Sequence, residues 1–93
     1  VPKPDAKGRR HIFEIHTKKK PLESDVDLTK VVDMTNGYSG AEIAAVCDRA
    51  AFSALKRYIN EKKSIKEIKI TQNDLVEAVR KVRVASTTTP AVA

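Results

Sequence analysis

The sequence predicts a small all-α domain built from four helices, with one short extended segment before the last. Three observations carry this. Apolar residues recur at helical spacing in four separate stretches, each of those stretches opens on a side chain suited to N-capping, and the one alternating stretch is only three residues long. With 93 residues there is room for a single domain, and a composition of 41% hydrophobic and 32% charged residues is that of an ordinary globule.

Residues 1–4 contain two prolines and read as a connection from something upstream. Asp5 stands where an N-cap belongs. From Ala6 to about Thr17 the apolar Ile12 and Ile15, with Phe13 and His16 beside them, follow helical spacing, and Arg9, Arg10 and Glu14 take other positions. Lys18, Lys19 and Lys20 followed by Pro21 end this helix, because cations suit a helix C-terminus and the residue before a proline avoids helical backbone angles. A short helix over 28–34 comes next, capped by Asp25 or Asp27 and offering Leu28, Val31 and Val32 to a core. Gly37 stops it by supplying positive φ.

Ser39-Gly40-Ala41-Glu42 fits a capping box and opens a long helix to about residue 59. Ile43, Val46, Cys47, Ala50, Ala54, Leu55 and Tyr58 lie on or near one of its faces, and its many alanines let neighbouring helices approach closely. A charged connection over 61–66 leads to the extended Ile68-Lys69-Ile70. Thr71 and Asp74 repeat the capping pattern, and a last helix to about Val82 presents Leu75, Val79 and Val82. Residues 5–84 are the expected domain, and the Ser/Thr-rich 85–93 read as a disordered tail.

The charge of +6 is unevenly placed. Residues 1–20 hold seven basic against two acidic side chains, 21–50 hold two against six, and 51–69 hold six against two, an alternation that suits a partner surface. The basic residues are mostly lysines with few aromatics between them, which argues against nucleic acid. No apolar run is long enough for a spanning helix and no signal-type block starts the chain, so a soluble cytoplasmic protein is expected, with no membrane partner. The single cysteine, Cys47, sits in an apolar periodic stretch and reads as a buried reduced thiol.

Chemistry is mostly absent. None of Gly8, Gly37 and Gly40 belongs to a phosphate loop. His11 and His16 are five residues apart with no cysteine partner, which is wrong for a zinc site, and no nucleophile, base and orienting group can be assembled. The chain is expected to have no catalytic residues and no metal site of its own.

The runs Arg10-His11-Ile12-Phe13-Glu14-Ile15-His16-Thr17, Pro21-Leu22, Asp25-Val26-Asp27-Leu28, Met34-Thr35-Asn36-Gly37-Tyr38-Ser39-Gly40-Ala41-Glu42-Ile43, Val46-Cys47 and Ala50-Ala51 resemble the C-terminal small subdomain, or lid, of an AAA+ ATPase. The likeness covers residues 2 to about 84. It is strongest to the cell-division-cycle/valosin-containing-protein type and, through the Met34 to Ala41 run, to its second ATPase module. Proteasomal regulatory ATPases have a similar Ser-Gly-Ala run, but tend to have a shorter link than 60–70 here.

The resemblance implies a four-helix lid that closes over ATP or ADP. The Walker motifs, the arginine fingers and the Mg ion would belong to a large subdomain upstream. It places Ile12 and His16 at the adenine, with Ile15 behind them, and Gly40 and Ala41 against the nucleotide. Glu42 stands where many relatives have aspartate, and Ala41 agrees with the loss of the sensor arginine that other lids carry there. Implied partners are the upstream subdomain, the neighbouring subunits of a homo-hexamer and, through the ring, protein substrates. On the residues alone, His16 is a helix-face side chain meeting water or a carbonyl, Ile12 and Ile15 are core, and the rival function is a free-standing helical protein-interaction domain.

Overall fold

A computed structural model of the chain describes residues 3–62 and 67–88, with side chains described through Arg83. The described residues form four helices: α1 (Ala6–Thr17), α2 (Leu28–Met34), α3 (Gly40–Asn60) and α4 (Gln72–Thr88). α3 is the centre of the packing, with α4 and α1 against it and α2 bridging α1 and α4.

The starts of all four helices follow from short-range chemistry. The Asp5 carboxylate accepts from the Gly8 N–H at 2.8 Å and Asp27 from the Thr29 N–H at 3.0 Å. At α3 the capping box is complete: Ser39 Oγ accepts from the Glu42 N–H at 3.2 Å, and Glu42 Oε1 accepts from the Ser39 N–H at 2.8 Å. At α4 the Asp74 N–H donates to Thr71 Oγ1 at 3.1 Å and the Thr71 N–H donates to Asp74 Oδ2 at 2.9 Å. Gly37 has φ of 88°, the left-handed value that ends the α2 turn.

The core joins Phe13 of α1, Val31 and Val32 of α2, Ile43, Val46, Cys47, Ala50 and Ala54 of α3, and Leu75, Ala78, Val79 and Val82 of α4. Tyr38 closes it from the α2–α3 turn, its buried hydroxyl donating to the Val79 carbonyl at 2.9 Å. The extended segment makes one parallel rung, Leu22 with Ile70: the Ile70 N–H donates to Pro21 O and the Glu23 N–H to Ile70 O, both at 2.8 Å. Beside it the Asp27 N–H donates to Gln72 Oε1 at 2.8 Å and Gln72 Nε2 donates to Asp27 O at 3.2 Å.

Two expectations are corrected. Arg9, Phe13 and Thr17 form the fully buried stripe of α1, at intervals of four; Ile12 is half-buried against the core, and Ile15 is 56% exposed. A residue two positions from Phe13 is rotated by roughly 200° and faces solvent once Phe13 takes the core. α4 does not stop near Val82 but reaches Thr88, so 85–88 are helical where a tail was expected. No glycine or proline falls between Gln72 and Pro90, and a proline disfavours helical angles only at the residue preceding it. Val1, Pro2 and residues 89–93 lie outside the described residues.

Among the described residues no helix is long and apolar enough to cross a membrane. Cys47 is 1% exposed, and burial pushes its thiol up to about 11, against the pull of the Lys20 ammonium and with a small push from Asp48.

Candidate functional site

Ile12 and His16 stand four residues apart on α1 and share a face, and both are half-buried. Gly40 and Ala41 are the first two residues of α3; Gly40 is half-buried and Ala41 exposed. Ile12 of α1 lies level with Gly40 at the start of α3. A methyl built on Gly40 would lie 3.6 Å from Ile12 Cδ1, so the start of α3 and this face of α1 form one edge. His16 follows Ile12 by one turn of α1, and Ala41 follows Gly40 in the first turn of α3. Lys20 Nζ donates to the His16 carbonyl at 2.7 Å, which folds the end of the lysine run back over the last turn of α1.

The chain's glycines answer to different demands, and Gly40 is the exception among them. Gly37 needs its positive φ, and a methyl on Gly8 would press to 3.1 Å from Pro4 Cβ. At Gly40 the only neighbour a methyl meets among the described residues is Ile12, at ordinary van der Waals distance, so packing among them does not demand a glycine there. What the missing side chain leaves is a bare backbone corner beside an apolar δ-methyl.

The electrostatics of the corner discriminate between ligand parts. A helix start presents N–H groups without intrahelical acceptors, here those of Gly40 and Ala41, together with the positive end of the helix dipole. The Glu42 carboxylate sits on the Ser39 N–H in the same turn and offsets that field. Such a corner suits a neutral, flat, hydrogen-bonding group with an apolar face better than a phosphate. Ile15, three residues beyond Ile12 on the same helix, is 56% exposed.

Two arginines with structural partners were not singled out by the sequence reading. Arg57 binds Asp74 with both ends of its guanidinium, Nη1 to Oδ1 at 2.7 Å and Nη2 to Oδ2 at 3.0 Å, and Nη2 also donates to Lys69 O at 3.1 Å. Burial alone would raise the Asp74 carboxyl, but the hydrogen bonds from Arg57 and Thr71, with the charge of Arg57, outweigh it and hold the group below its ordinary value. The Asp74 hydrogen bond is likewise the main reason that Arg57 is raised. Arg57, with Tyr58 and Glu61, borders a cleft of about 160 Å³ at the far end of α3 from Gly40. Arg9 is the second, 6% exposed inside α1. The seventeen residues separating Arg57 from Asp74 hide that pairing, and an arginine among polar neighbours gives no sign of burial.

Comparison with known proteins bears on the whole chain. Residues 25–77, more than half of it, match the family described as the AAA+ lid domain. Protein SAV of Sulfolobus acidocaldarius is 41% identical, over 86% of this chain and 12% of that protein. The cell division cycle protein 48 homolog of Archaeoglobus fulgidus is 40% identical, over 85% of this chain and 12% of that protein. The proteasome-activating nucleotidase of Saccharolobus solfataricus is 43% identical, over 90% of this chain and 19% of that protein. The chain thus spans between 12% and 19% of the length of these relatives. With four helices in the described residues and the family match running from the α2 cap into α4, this chain belongs to the AAA+ lid domain family, related to the lids of cell-division-cycle 48 and proteasome-activating nucleotidase ATPases.

Proposed function

We propose that this chain is the lid subdomain of a hexameric, cytoplasmic AAA+ ATPase that closes over adenine nucleotide and turns hydrolysis into rigid-body motion passed to neighbouring subunits and, through the ring, to protein substrates. The observation that carries the nucleotide contact is Gly40, a glycine that neither φ nor packing among the described residues demands, beside Ile12. Adenine is flat, neutral and polar at its edge, which is what the corner favours. In this reading Ile12 and His16 border the base, and Gly40 and Ala41 allow close backbone approach. The chain supplies no catalytic group; phosphate binding, Mg and hydrolysis belong to the large subdomain upstream. The 85–88 turn of α4 extends the lid by one turn beyond the expected boundary.

Within the family, the Met34 to Ala41 run and the long link between α3 and α4 support the second module of a cell-division-cycle type ATPase. The alternative is a lid of the proteasomal regulatory type, and identity is comparable for the two: 43% to the proteasome-activating nucleotidase and 40% to the cell division cycle homolog. One Walker A and Walker B pair upstream in the parent protein identifies the second reading, and two pairs identify the first.

The nucleotide reading is tested by titrating ATP into the isolated chain and into the intact parent while following amide shifts and affinity. The isolated chain gives no saturable micromolar binding, and His16→Ala in the parent weakens binding several-fold with the lid still folded. Saturable micromolar binding by the isolated chain, or unchanged affinity in the variant, overturns it.

A further inference from the structure

Arg9 is buried in α1, yet among the described residues it has no carboxylate partner. Its guanidinium is spent on backbone carbonyls: Nε donates to Val32 O in α2 at 3.2 Å and Nη1 to Pro4 O at 3.3 Å. Val32 O also accepts from the Thr35 N–H at 3.2 Å and from Thr35 Oγ1 at 2.9 Å, so the arginine lands on a helix end that is already fixed. A second observation meets it from the other side. A methyl at Gly8 would lie 3.1 Å from Pro4 Cβ and 3.3 Å from Asp5 Oδ1, tighter than such contacts normally are, so Pro4 is folded down onto the first turn of α1. The Asp5 carboxylate on the Gly8 N–H and the Arg9 N–H on Asp5 O, both at 2.8 Å, complete the seat.

We infer that Arg9 is a positioning residue that clamps the incoming chain to α2 at Pro4, so that the connection becomes part of the rigid domain from Pro4 onward and any swivel lies N-terminal to it. The planar fork of arginine suits this task, since Nε and Nη1 reach two carbonyls at once and a lysine ammonium on a flexible stem has no such fixed pair. Gly8 is the complement of Arg9, leaving the space that Pro4 fills. In a parent ATPase, turning of the domain would then be transmitted through Pro4 and Arg9 to α2 rather than absorbed at Asp5. That last step rests on the proposed lid role. The seating of Pro4 does not, and it can be measured without nucleotide or upstream sequence.

The experiment uses the isolated chain in wild-type, Arg9→Met, Arg9→Lys and Gly8→Ala forms. Backbone order is read by nitrogen relaxation, and a nitroxide at Lys3→Cys reads proximity by broadening the amides of Val32 to Thr35; Cys47, at 1% exposure, does not compete for the label. In wild type the Asp5 amide has the order of a rigid backbone, about 0.85, and Lys3 falls below about 0.6. In Arg9→Met the loss of order advances to Asp5 and the broadening drops at least twofold, with the shifts of Phe13 and Ile43 kept. Arg9→Lys falls between the two. Gly8→Ala lowers the broadening with the guanidinium intact, because the new methyl must push Pro4 away, and it decides the matter if Arg9→Met does not fold. An Asp5 amide as mobile as Lys3 in wild type, or broadening unchanged in Gly8→Ala and in whichever Arg9 variants fold, overturns the clamp. Failure of the ATP titration would leave these outcomes untouched, so the two readings fail separately.

Discussion

Replacing Arg57 by methionine keeps the aliphatic stem but removes the charge facing Asp74. The Asp74 side chain is only 5% exposed, so it would be left as a buried carboxylate holding one backbone N–H from Thr71. Two hydrogen bonds to a charged group would be worth about 1.5–3 kcal/mol each if fully buried. Arg57 is 39% exposed, however, and solvent screening moves the pair toward the weaker surface range. A loss of about 1–2 kcal/mol is the resulting expectation, which for a domain of this size lowers Tm by roughly 4–15 °C. The pH dependence is the sharper check. Asp74 is held below its unfolded value, so its contribution is complete above the unfolded pKa of about 3.9 and is lost as pH falls through the lower folded value. Without Arg57 the burial penalty gains on the remaining Thr71 bonds and that acid-sensitive contribution shrinks or reverses. Urea unfolding followed by circular dichroism at pH 7, 5 and 3 should therefore show the two proteins converging as the solution is acidified. A gap that stays constant from pH 7 to pH 3, or one below about 0.3 kcal/mol at pH 7, would refute the assignment of the pair's role.

Other substitutions probe the same framework. Tyr38→Phe deletes the buried 2.9 Å bond to the Val79 carbonyl and should cost about 1 kcal/mol, seen as a lower urea midpoint with unchanged m. Ser39→Ala removes the hydroxyl half of the α3 capping box and should cost about 1 kcal/mol in the same measurement. At Gly37 an alanine meets no neighbour but must adopt φ near 88°, so Gly37→Ala should destabilise by roughly 1–2 kcal/mol, and an unchanged midpoint would contradict the turn geometry. His16→Ala should leave the melting temperature of the isolated chain within about 3 °C of wild type, because a half-buried side chain whose imidazole makes no hydrogen bond among the described residues gives up little on truncation.

How far the sequence could be read depended on the range of the forces involved. Helix starts at Asp5, Asp27, Ser39 and Thr71 are decided within four residues, and every one of them was visible as a capping side chain. The stop at Gly37 was visible for the same reason. The face that α1 buries was not, because Ile12, Phe13 and Ile15 are all apolar and only the placement of α2 and α3 selects Phe13. Arg9 and the Arg57–Asp74 pair depend on partners in other elements, the far one 23 residues away for Arg9 and 17 for Arg57, and no local pattern announces either. For the candidate edge, residue types and a resemblance named Ile12, His16, Gly40 and Ala41. The structure adds the Ile12–Gly40 approach and the offsetting Glu42 carboxylate.

The rung between Leu22 and Ile70, with Gln72 reading both backbone groups of Asp27, has a consequence for how the domain comes apart. It fastens the entry to α2 and the entry to α4 to each other, across nearly fifty residues of intervening chain, like a clasp on a bracelet. Neither entry can fray without releasing the other, so a disturbance at α2 travels to α4 without passing along α3.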